Sequence, residues 1–261
     1  MLIDFFIIGT QKGGTTALHS ILKSIDGIEV PTTKEVHFFD NESTNWHQPD
    51  YKILHKHFNW ENKDVIRGEA TPIYSYWAPS IERIHAYNPD AKIIMLLRHP
   101  AYRAHSHWCM EFQRGKETLQ FSDAISERGQ SRVSQATDGF HRVYSYIERG
   151  YYSRQIKRLK KFFPNSQIFF LRTDALWSQP QQSIDKITQF LRAGSVKMDS
   201  SNYITPSICY SHAIPEQYEL PQKIAQLTRL YKDDILVTEK LTGIELSDWL
   251  DPNYVEPMSR R

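Results

Sequence analysis

Short apolar runs alternate along the chain with stretches that have helical spacing of apolar residues. Three runs rich in β-branched or aromatic residues lie at 2–8, 91–97 and 167–172, and the segment at 64–72 is interpreted as a further short strand that ends at Pro72. Runs of this length that are apolar nearly throughout are typical of strands buried on both faces of a parallel sheet. We therefore predict four strands at these positions.

Amphipathic segments follow the predicted strands. They are predicted as helices at 15–23, 78–90, from Pro100 onward, 180–191 and 219–249. Strands that alternate with helices predict an α/β fold, a P-loop-like single domain with a central, mostly parallel sheet flanked by helices. No linker divides residues 1–261, so we expect one domain, in which the polar and irregular segment 111–152 covers the active face.

Composition limits the classes of partner. The 261 residues carry a net charge of +2, from 32 basic and 30 acidic residues, which gives no overall attraction to nucleic acid or to an anionic membrane. Only Cys109 and Cys209 are cysteines, so a disulfide framework is not expected. The first apolar run is interrupted by Asp4 and is too short for a signal peptide or a membrane span. These features predict a cytoplasmic protein with neither nucleic acid nor membrane as partner; they do not indicate an oligomeric state.

The turn GTQKGGTT, at residues 9–16, separates the first strand from the first helix. Gly9 and Gly14 have the spacing of a Walker A loop, G-x-x-x-x-G-K-[ST], but Thr15 stands where that loop has its lysine. The lysine of this turn is Lys12. The pair of residues that handles β- and γ-phosphates and Mg²⁺ in an ATPase is therefore missing.

The backbone features that bind an anion are retained in this turn. Gly13 and Gly14 allow backbone amides to turn inward, and a helix that begins at Thr15 offers N–H groups to an anion. The hydroxyls of Thr15 and Thr16 add possible donors. The turn therefore favours a short anion, one phosphate and its substituent, although glycines that merely make a turn would give the same spacing.

The stretch IIGTQKGGTTALHSIL, at residues 7–22, resembles the 5′-phosphosulfate loop of sulfotransferases that use PAPS, 3′-phosphoadenosine 5′-phosphosulfate. It is most similar to the branch that contains bacterial sulfotransferases and the heparan sulfate glucosaminyl sulfotransferases. The resemblance implies PAPS as co-substrate, PAP as product and no metal. It also implies that Lys12 contacts the bridging oxygen of the leaving phosphate and the moving sulfonyl group. The residues expected to bind the nucleotide at this end are Gln11, Lys12, Gly13, Gly14, Thr15 and Thr16.

A second candidate anion site lies in IIMLLRHPAYRAHSHW, at residues 93–108. Arg98 follows a predicted strand at the edge where α/β sheets bind ligands, and Ser106 lies eight residues later, about two helical turns. Taken alone, these residues also fit an arginine and a serine with no common ligand. The stretch resembles the family's 3′-phosphate motif, which implies that Arg98 and Ser106 share that phosphate. For Arg103 we expect a packing or ion-pair role.

The segment VPTTKEVHFFD, at residues 30–40, supplies candidates for a general base, which an alcohol acceptor needs. If the segment is extended, Glu35 and His37 point to the same side. It resembles a segment of the glucosaminyl sulfotransferases in which the glutamate is the base, which implies that role for Glu35. His37 orients Glu35, binds substrate or is itself the base; these alternatives stay open.

The segment RGEATPIYSYW, at residues 67–77, resembles a family block that precedes the substrate cleft. The glucosaminyl enzymes often have a lysine where this chain has Ala70, and the loss of that cation weakens the case for a heparan-like acceptor. The aromatic residues Tyr74, Tyr76 and Trp77 are candidates for an acceptor pocket, although aromatic residues after a proline more often pack in the core.

The predicted function is in-line transfer of a sulfonyl group from PAPS to a hydroxyl or amine of a small-molecule metabolite or a sugar. A P-loop small-molecule kinase using MgATP and a non-catalytic PAP-binding protein of the same fold remain as alternatives. The histidine pairs at 55–57 and 105–107 lack zinc-ligand spacing, so no metal site is predicted. By analogy with the family, residues 193–216 are expected to close over the nucleotide.

Overall fold

The computed structural model describes residues 1–194, 197 and 219–257. Within them the chain forms two compact units, one from residues 1–97 and 157–194 and the other from residues 98–156 and 219–256. The segment expected to close over the nucleotide lies almost entirely outside the described residues, as does Cys209. The expectation of a single domain over the whole chain stays a prediction.

The first unit contains a five-stranded sheet in which each neighbouring pair of strands is parallel. In chain order the strands are β1 (Phe5–Gly9), β2 (Ile28–Glu29), β3 (Ile66–Ala70), β4 (Lys92–Leu97) and β5 (Ile168–Arg172). They are arranged β2-β3-β1-β4-β5, so that the chain goes from β1 to the edge strand β2, returns to β3 beside β1, and then crosses to β4 and β5 on the other side. The predicted α/β fold with a central parallel sheet is confirmed. The carboxyl end of β1 lies where the strand order reverses, the usual position of a ligand in such sheets.

Helices follow the strands along the chain. In the first unit they are α1 (Thr15–Lys23), α2 (Lys52–His55), α3 (Ala78–Tyr87), α8 (Thr173–Ser178) and α9 (Pro180–Leu191). In the second unit they are α4 (Pro100–Gln113), α5 (Phe121–Ala124), α6 (Glu127–Ser134) and α10 (Leu220–Thr242), and α7 (Tyr152–Phe162) runs from the second unit into the first. The predicted final helix is shorter than expected, because Gly243 adopts a left-handed conformation with φ 70° and ends α10. None of the helices in the described ranges is both long and apolar enough to cross a membrane.

Alternate residues of β1 contribute to two apolar layers, because side chains alternate between the faces of a strand. Phe5 and Ile7 belong to a buried cluster that contains the apolar stripes of α1 and α9. Phe6 contacts the rings of Phe39 and Tyr87 edge-on, at centroid distances of 5.5 and 6.3 Å. This double burial explains why β1 is apolar throughout rather than alternating.

Gly68 fixes the pairing of β1 with β3. It lies opposite Phe5 in the parallel register, and a Cβ at this position would lie 1.9 Å from the Phe5 ring. Only glycine leaves room for that ring. The parallel register continues to Ile7 opposite Ala70, so the carboxyl ends of β1 and β3 lie side by side, and these two ends carry the segments described next.

Candidate active site

The glycine turn after β1 is hydrogen-bonded to the neighbouring strand β4 and to the start of α8. The Thr10 N–H donates to the Leu96 carbonyl at 3.0 Å, and the Gly13 N–H donates to the Thr10 carbonyl at 2.8 Å. The hydroxyl of Thr173, at the start of α8, donates to the Gly13 carbonyl at 2.7 Å. The turn is therefore held by β4 and by the residue that follows β5.

Glycine is required at two positions of this turn. A Cβ on Gly13 would lie 2.8 Å from the Thr10 carbonyl oxygen, closer than such atoms approach in proteins. Gly14 has φ 88°, in the left-handed region, and caps the N-terminus of α1. Because helix geometry leaves the first N–H groups of α1 without acceptors in the helix, this end of the helix suits an anion.

The side chains predicted to bind the nucleotide differ in exposure. Gln11 and Lys12 are half-buried, Thr15 is buried and Thr16 is exposed. A donor that the sequence did not single out is Thr10, whose hydroxyl is buried and has no hydrogen-bond partner among the described residues. A buried hydroxyl without a partner beside an open glycine turn is compatible with a ligand that brings acceptor oxygens.

The segment 34–40 is not extended. Glu35 has φ 66° and His37 has φ 54°, both in the left-handed region, so the condition of an extended segment is not met. The two side chains nevertheless meet, with His37 Nε2 3.5 Å from Glu35 Oε2. The backbone folds this way because three successive amides bond to the end of β3.

These three amides find acceptors in consecutive residues of β3 and the turn after it. The Glu35 N–H donates to the Ala70 carbonyl at 3.2 Å, and the Val36 N–H donates to Oε1 of Glu69 at 3.2 Å. The His37 N–H donates to the Thr71 hydroxyl at 3.4 Å. Since β1 and β3 are adjacent parallel strands, the segment and the glycine turn lie at the same edge of the sheet.

Glu35 lies between two cationic side chains. Nζ of Lys34 donates to Glu35 Oε1 at 2.5 Å, and His37 lies on the other carboxylate oxygen. Burial by itself would raise the pKa of Glu35, but the hydrogen bond from His37 and the charge of Lys34 outweigh it and lower the pKa to about 2. Glu35 is therefore ionised across the physiological range.

His37 is held in its protonated form. Its Nδ1 lies 3.0 Å from Oδ2 of Asp40, which is fully buried. The hydrogen bond to Asp40, followed by that to Glu35, raises the pKa of His37 to about 9 against the opposing effect of burial. At neutral pH the imidazole is a cation, which is not the state of a general base.

Glu69 lies beneath this segment and was also missed at the level of sequence. Its side chain is buried and accepts from the Thr71 hydroxyl and the Val36 amide, while Oε2 has no hydrogen-bond partner in the described part of the chain. Burial raises the pKa of Glu69 to about 7 in spite of the two hydrogen bonds. Asp40 and Glu69 both belong to the sequence motifs described above. Only the structure shows that Asp40 pairs with His37 and that Glu69 accepts from the Val36 amide.

The aromatic residues after Pro72 have different roles. Tyr74 is fully buried, and its hydroxyl oxygen accepts from the Phe38 amide at 3.1 Å, so it packs beneath the segment 34–40. Trp77 is half-buried and its indole N–H donates to Glu42. Tyr76 is also buried, so of the three candidates for an acceptor pocket only Trp77 is partly exposed.

In the second unit, Arg98 directly follows β4 and is engaged by a carboxylate. Its Nε and one terminal nitrogen donate to the two oxygens of Glu256, at 2.8 and 2.6 Å. The Arg98 carbonyl accepts from the Tyr152 hydroxyl at 2.7 Å. Burial opposes the charge of Arg98, but Glu256 compensates and raises the pKa of the guanidinium.

The other residues of the second candidate motif lie on α4. Ser106 is half-buried on this helix. Arg103 is fully buried and its guanidinium donates to the Tyr146 carbonyl, the packing role expected of it. Within the described ranges, no group of three or more histidine, cysteine or acidic residues has an arrangement that could hold a metal ion.

Comparisons with known proteins agree on one family. A family model described as the sulfotransferase domain matches residues 2–201. The chain is 26% identical over 200 residues to human heparan sulfate glucosamine 3-O-sulfotransferase 6, covering 76% of this chain and 54% of the relative. It is also 26% identical over 185 residues to mouse heparan sulfate glucosamine 3-O-sulfotransferase 5, covering 71% of this chain and 52% of the relative.

Among solved structures, a sulfotransferase from Alicyclobacillus acidocaldarius is similar over 95% of this chain and 99% of its own, with a TM-score of 0.76 and 24% sequence identity. Because the sequence identity is only 24%, this structural similarity is evidence for the fold alone. The chain spans about half the length of the curated relatives it matches.

Proposed function

The chain belongs to the sulfotransferase domain family, and on this basis we propose that it transfers a sulfonyl group from PAPS to a hydroxyl or amine of a sugar or small-molecule metabolite. The acceptor oxygen or nitrogen attacks sulfur in line, the bond from sulfur to the bridging oxygen breaks, and PAP leaves. The residues of this chain supply a cradle for the leaving group and a base for the acceptor.

The observation that carries the proposal is a concentration of unusual backbone conformations. Lys12, Glu35 and His37 are three of the five non-glycine residues with positive φ among the described residues. Such a conformation costs about 1–2 kcal/mol for a residue with a Cβ, and residues of this kind cluster at active sites. The three residues that the sequence motifs assign to catalysis thus share a backbone conformation that is uncommon for residues with a Cβ.

The glycine turn is proposed to bind the 5′ end of the nucleotide. Gly13 and Gly14 keep side chains away from the turn, and the N-terminus of α1 supplies amides for the phosphate oxygens. The buried hydroxyl of Thr10, which lacks a partner in the described part of the chain, is a further donor for the same anion. Lys12 is proposed to stabilise the negative charge that grows on the leaving phosphate, an electrostatic contribution that is preorganised by the turn.

Glu35 is proposed as the base that takes the acceptor's proton. Its carboxylate is ionised at neutral pH, whereas His37, with a pKa raised to about 9, already carries a proton. This difference favours Glu35 over His37, and gives His37 the role of holding the carboxylate in place. The basicity of Glu35 is low while Lys34 and His37 both contact it, and it increases when an acceptor displaces Lys34.

Arg98 and Ser106 are proposed to bind the 3′-phosphate. A guanidinium held by two hydrogen bonds is suited to a phosphate in the same geometry as to a carboxylate. The nucleotide must then replace Glu256 as the partner of Arg98. The acceptor is proposed only as a class. The names of the relatives point to heparan sulfate glucosamine. Ala70 of this chain, however, lacks the positive charge that would favour a highly acidic sugar.

Two measurements test the function. Thermal unfolding with PAP and with MgATP separates a sulfotransferase from a kinase, and we expect stabilisation by PAP alone. Incubation with ³⁵S-labelled PAPS and a panel of acceptors, including a glucosamine oligosaccharide, a simple phenol and an extract of the native host, is expected to label a product. Binding of PAP without transfer to any acceptor would instead indicate a non-catalytic protein of this fold, and stabilisation by MgATP alone would overturn the nucleotide assignment.

A further inference from the structure

The segment Asp251–Glu256 lies against the first residues after β4, within the second unit. The Tyr254 ring stacks on the His99 ring with a centroid distance of 5.0 Å and an interplanar angle of 16°. The Tyr102 hydroxyl donates to the Tyr254 carbonyl at 3.4 Å. Two residues further along, Glu256 pairs with Arg98 through both carboxylate oxygens. The segment is thus held by a ring contact and a backbone contact in addition to the ion pair.

The Arg98–Glu256 pair has a geometry that a phosphate can reproduce. The two hydrogen bonds come from Nε and one terminal nitrogen, the edge of the guanidinium that grips carboxylates and phosphates with two parallel bonds. The side chains of Arg98 and Glu256 are 21% and 17% exposed, so water screens the pair only in part. A phosphate held by this same edge of the guanidinium excludes the carboxylate from it.

We propose that Glu256 competes with the nucleotide for Arg98, holding the guanidinium when the site is empty and giving way to the 3′-phosphate. This inference rests on the proposed function. It gives Glu256 a role in nucleotide binding, although the transfer reaction itself does not require this residue. The phosphate displaces the carboxylate because it brings up to two negative charges where Glu256 brings one. Part of the binding free energy of the phosphate is then spent in breaking the existing pair.

The consequence is faster exchange of the product. PAP retains the 3′-phosphate after transfer, so a carboxylate ready to take back Arg98 weakens the hold on PAP without affecting the transferred group. Because affinity changes within one site are expressed mainly in the dissociation rate, removal of the competing charge should lengthen the residence time of PAP. Glu256 therefore sets the affinity and release of the nucleotide, while the contacts of Tyr254 keep it close enough to return.

The test compares PAP with adenosine 5′-monophosphate, which lacks the 3′-phosphate. Calorimetric Kd values are measured for the wild type, Glu256→Gln, Glu256→Ala and the control Glu82→Gln, which removes an exposed carboxylate from α3. We expect Glu256→Gln and Glu256→Ala to lower the Kd of PAP by about tenfold, equivalent to about 1.4 kcal/mol. The Kd of the monophosphate should stay within about twofold, since that ligand leaves the Arg98–Glu256 pair intact, and Glu82→Gln should resemble the wild type.

A double-mutant cycle identifies Arg98 as the route of the effect. In an Arg98→Ala background, Glu256→Gln should leave the Kd of PAP unchanged. An unchanged or raised Kd of PAP in both Glu256 variants, or an equal gain for the monophosphate, would overturn the competition while leaving the proposed function in place. Failure of the wild type itself to bind PAP would overturn the nucleotide assignment and this inference with it.

Discussion

Nδ1 of His37 lies 3.0 Å from the buried carboxylate of Asp40, and this contact makes His37 a cation at neutral pH. The other ring nitrogen faces Glu35 at 3.5 Å. The imidazolium therefore links a carboxylate that is inaccessible to solvent with one that is half-exposed. In the proposed reaction its charge keeps Glu35 ionised and correctly placed, while Asp40 keeps the charge on His37.

Replacing Asp40 by asparagine should move the alkaline limit of activity to lower pH. The Asp40 carboxylate favours the imidazolium, so its loss lowers the pKa of His37 from about 9 toward the ordinary value of 6.5. Activity that depends on the imidazolium is present below the pKa and lost above it. We expect the alkaline limb of kcat/KM to shift down by at least about one pH unit. An alkaline limb that stays in place while an NMR titration shows the lowered His37 pKa would exclude this role for the cation.

Replacing Glu35 by glutamine should remove turnover and leave nucleotide binding intact. The amide keeps the size of the side chain but cannot accept the proton of the acceptor, and a positioned base contributes about 10²–10⁴ in rate. We expect kcat to fall by at least about 10² with the Kd of PAP changed less than about twofold. Glu82→Gln, an exposed change on α3, is the control for kcat. Retention of most of the activity in Glu35→Gln would show that another group is the base.

The sequence was sufficient for those features that depend on local pattern. β1, β4 and β5 are predicted because each is an apolar run, and the turn before α1 because Gly13 and Gly14 lie between an apolar run and a helical spacing. β2 was missed because two residues, Ile28–Glu29, carry no period. The length of α10 was overestimated, because the helical spacing of apolar residues continues beyond Gly243, where the helix ends.

Contacts between distant residues could not be read from the sequence. The motif at 34–40 identified Glu35 and His37, but their conformation depends on hydrogen bonds to residues 69–71. The pairing of Arg98 with Glu256 joins positions 158 residues apart. Neither set of contacts produces a periodic pattern in the sequence. The sequence identified the functional residues, but not the residues that they contact.

Replacing Lys12 by glycine or alanine should separate strain from function. Both variants lose the ammonium group, so both should lose at least about 10² in kcat if it stabilises the leaving phosphate. They differ in the backbone, because Lys12 has φ 65° and alanine retains the Cβ that disfavours this conformation. We expect Lys12→Gly to be more stable to urea unfolding than Lys12→Ala by about 1 kcal/mol. Equal stability of the two variants would argue against strain at this position, and full activity of either would argue against the catalytic role of Lys12.

Glu69 should make the stability of the protein fall as pH rises through neutrality. Its pKa is raised to about 7 from 4.5 by burial, so the folded protein binds this proton more tightly than the unfolded chain does. The stabilisation is fully present below about pH 4.5 and is lost as pH rises through about 7. The loss is on the order of 3 kcal/mol for a group this deeply buried.

The variant that reveals this dependence is Glu69→Gln, which keeps an oxygen to accept from the Val36 amide and the Thr71 hydroxyl but does not titrate. Urea unfolding is measured from pH 4.5 to 8 for the wild type, Glu69→Gln and the exposed control Glu82→Gln. We expect the stability of Glu69→Gln relative to the wild type to increase over this range, while the control follows the wild type. A parallel pH dependence of all three proteins would mean that Glu69 titrates near its ordinary pKa. The carboxylate would then be solvated, and the segment 34–40 would be more open to water than its hydrogen bonds to β3 indicate.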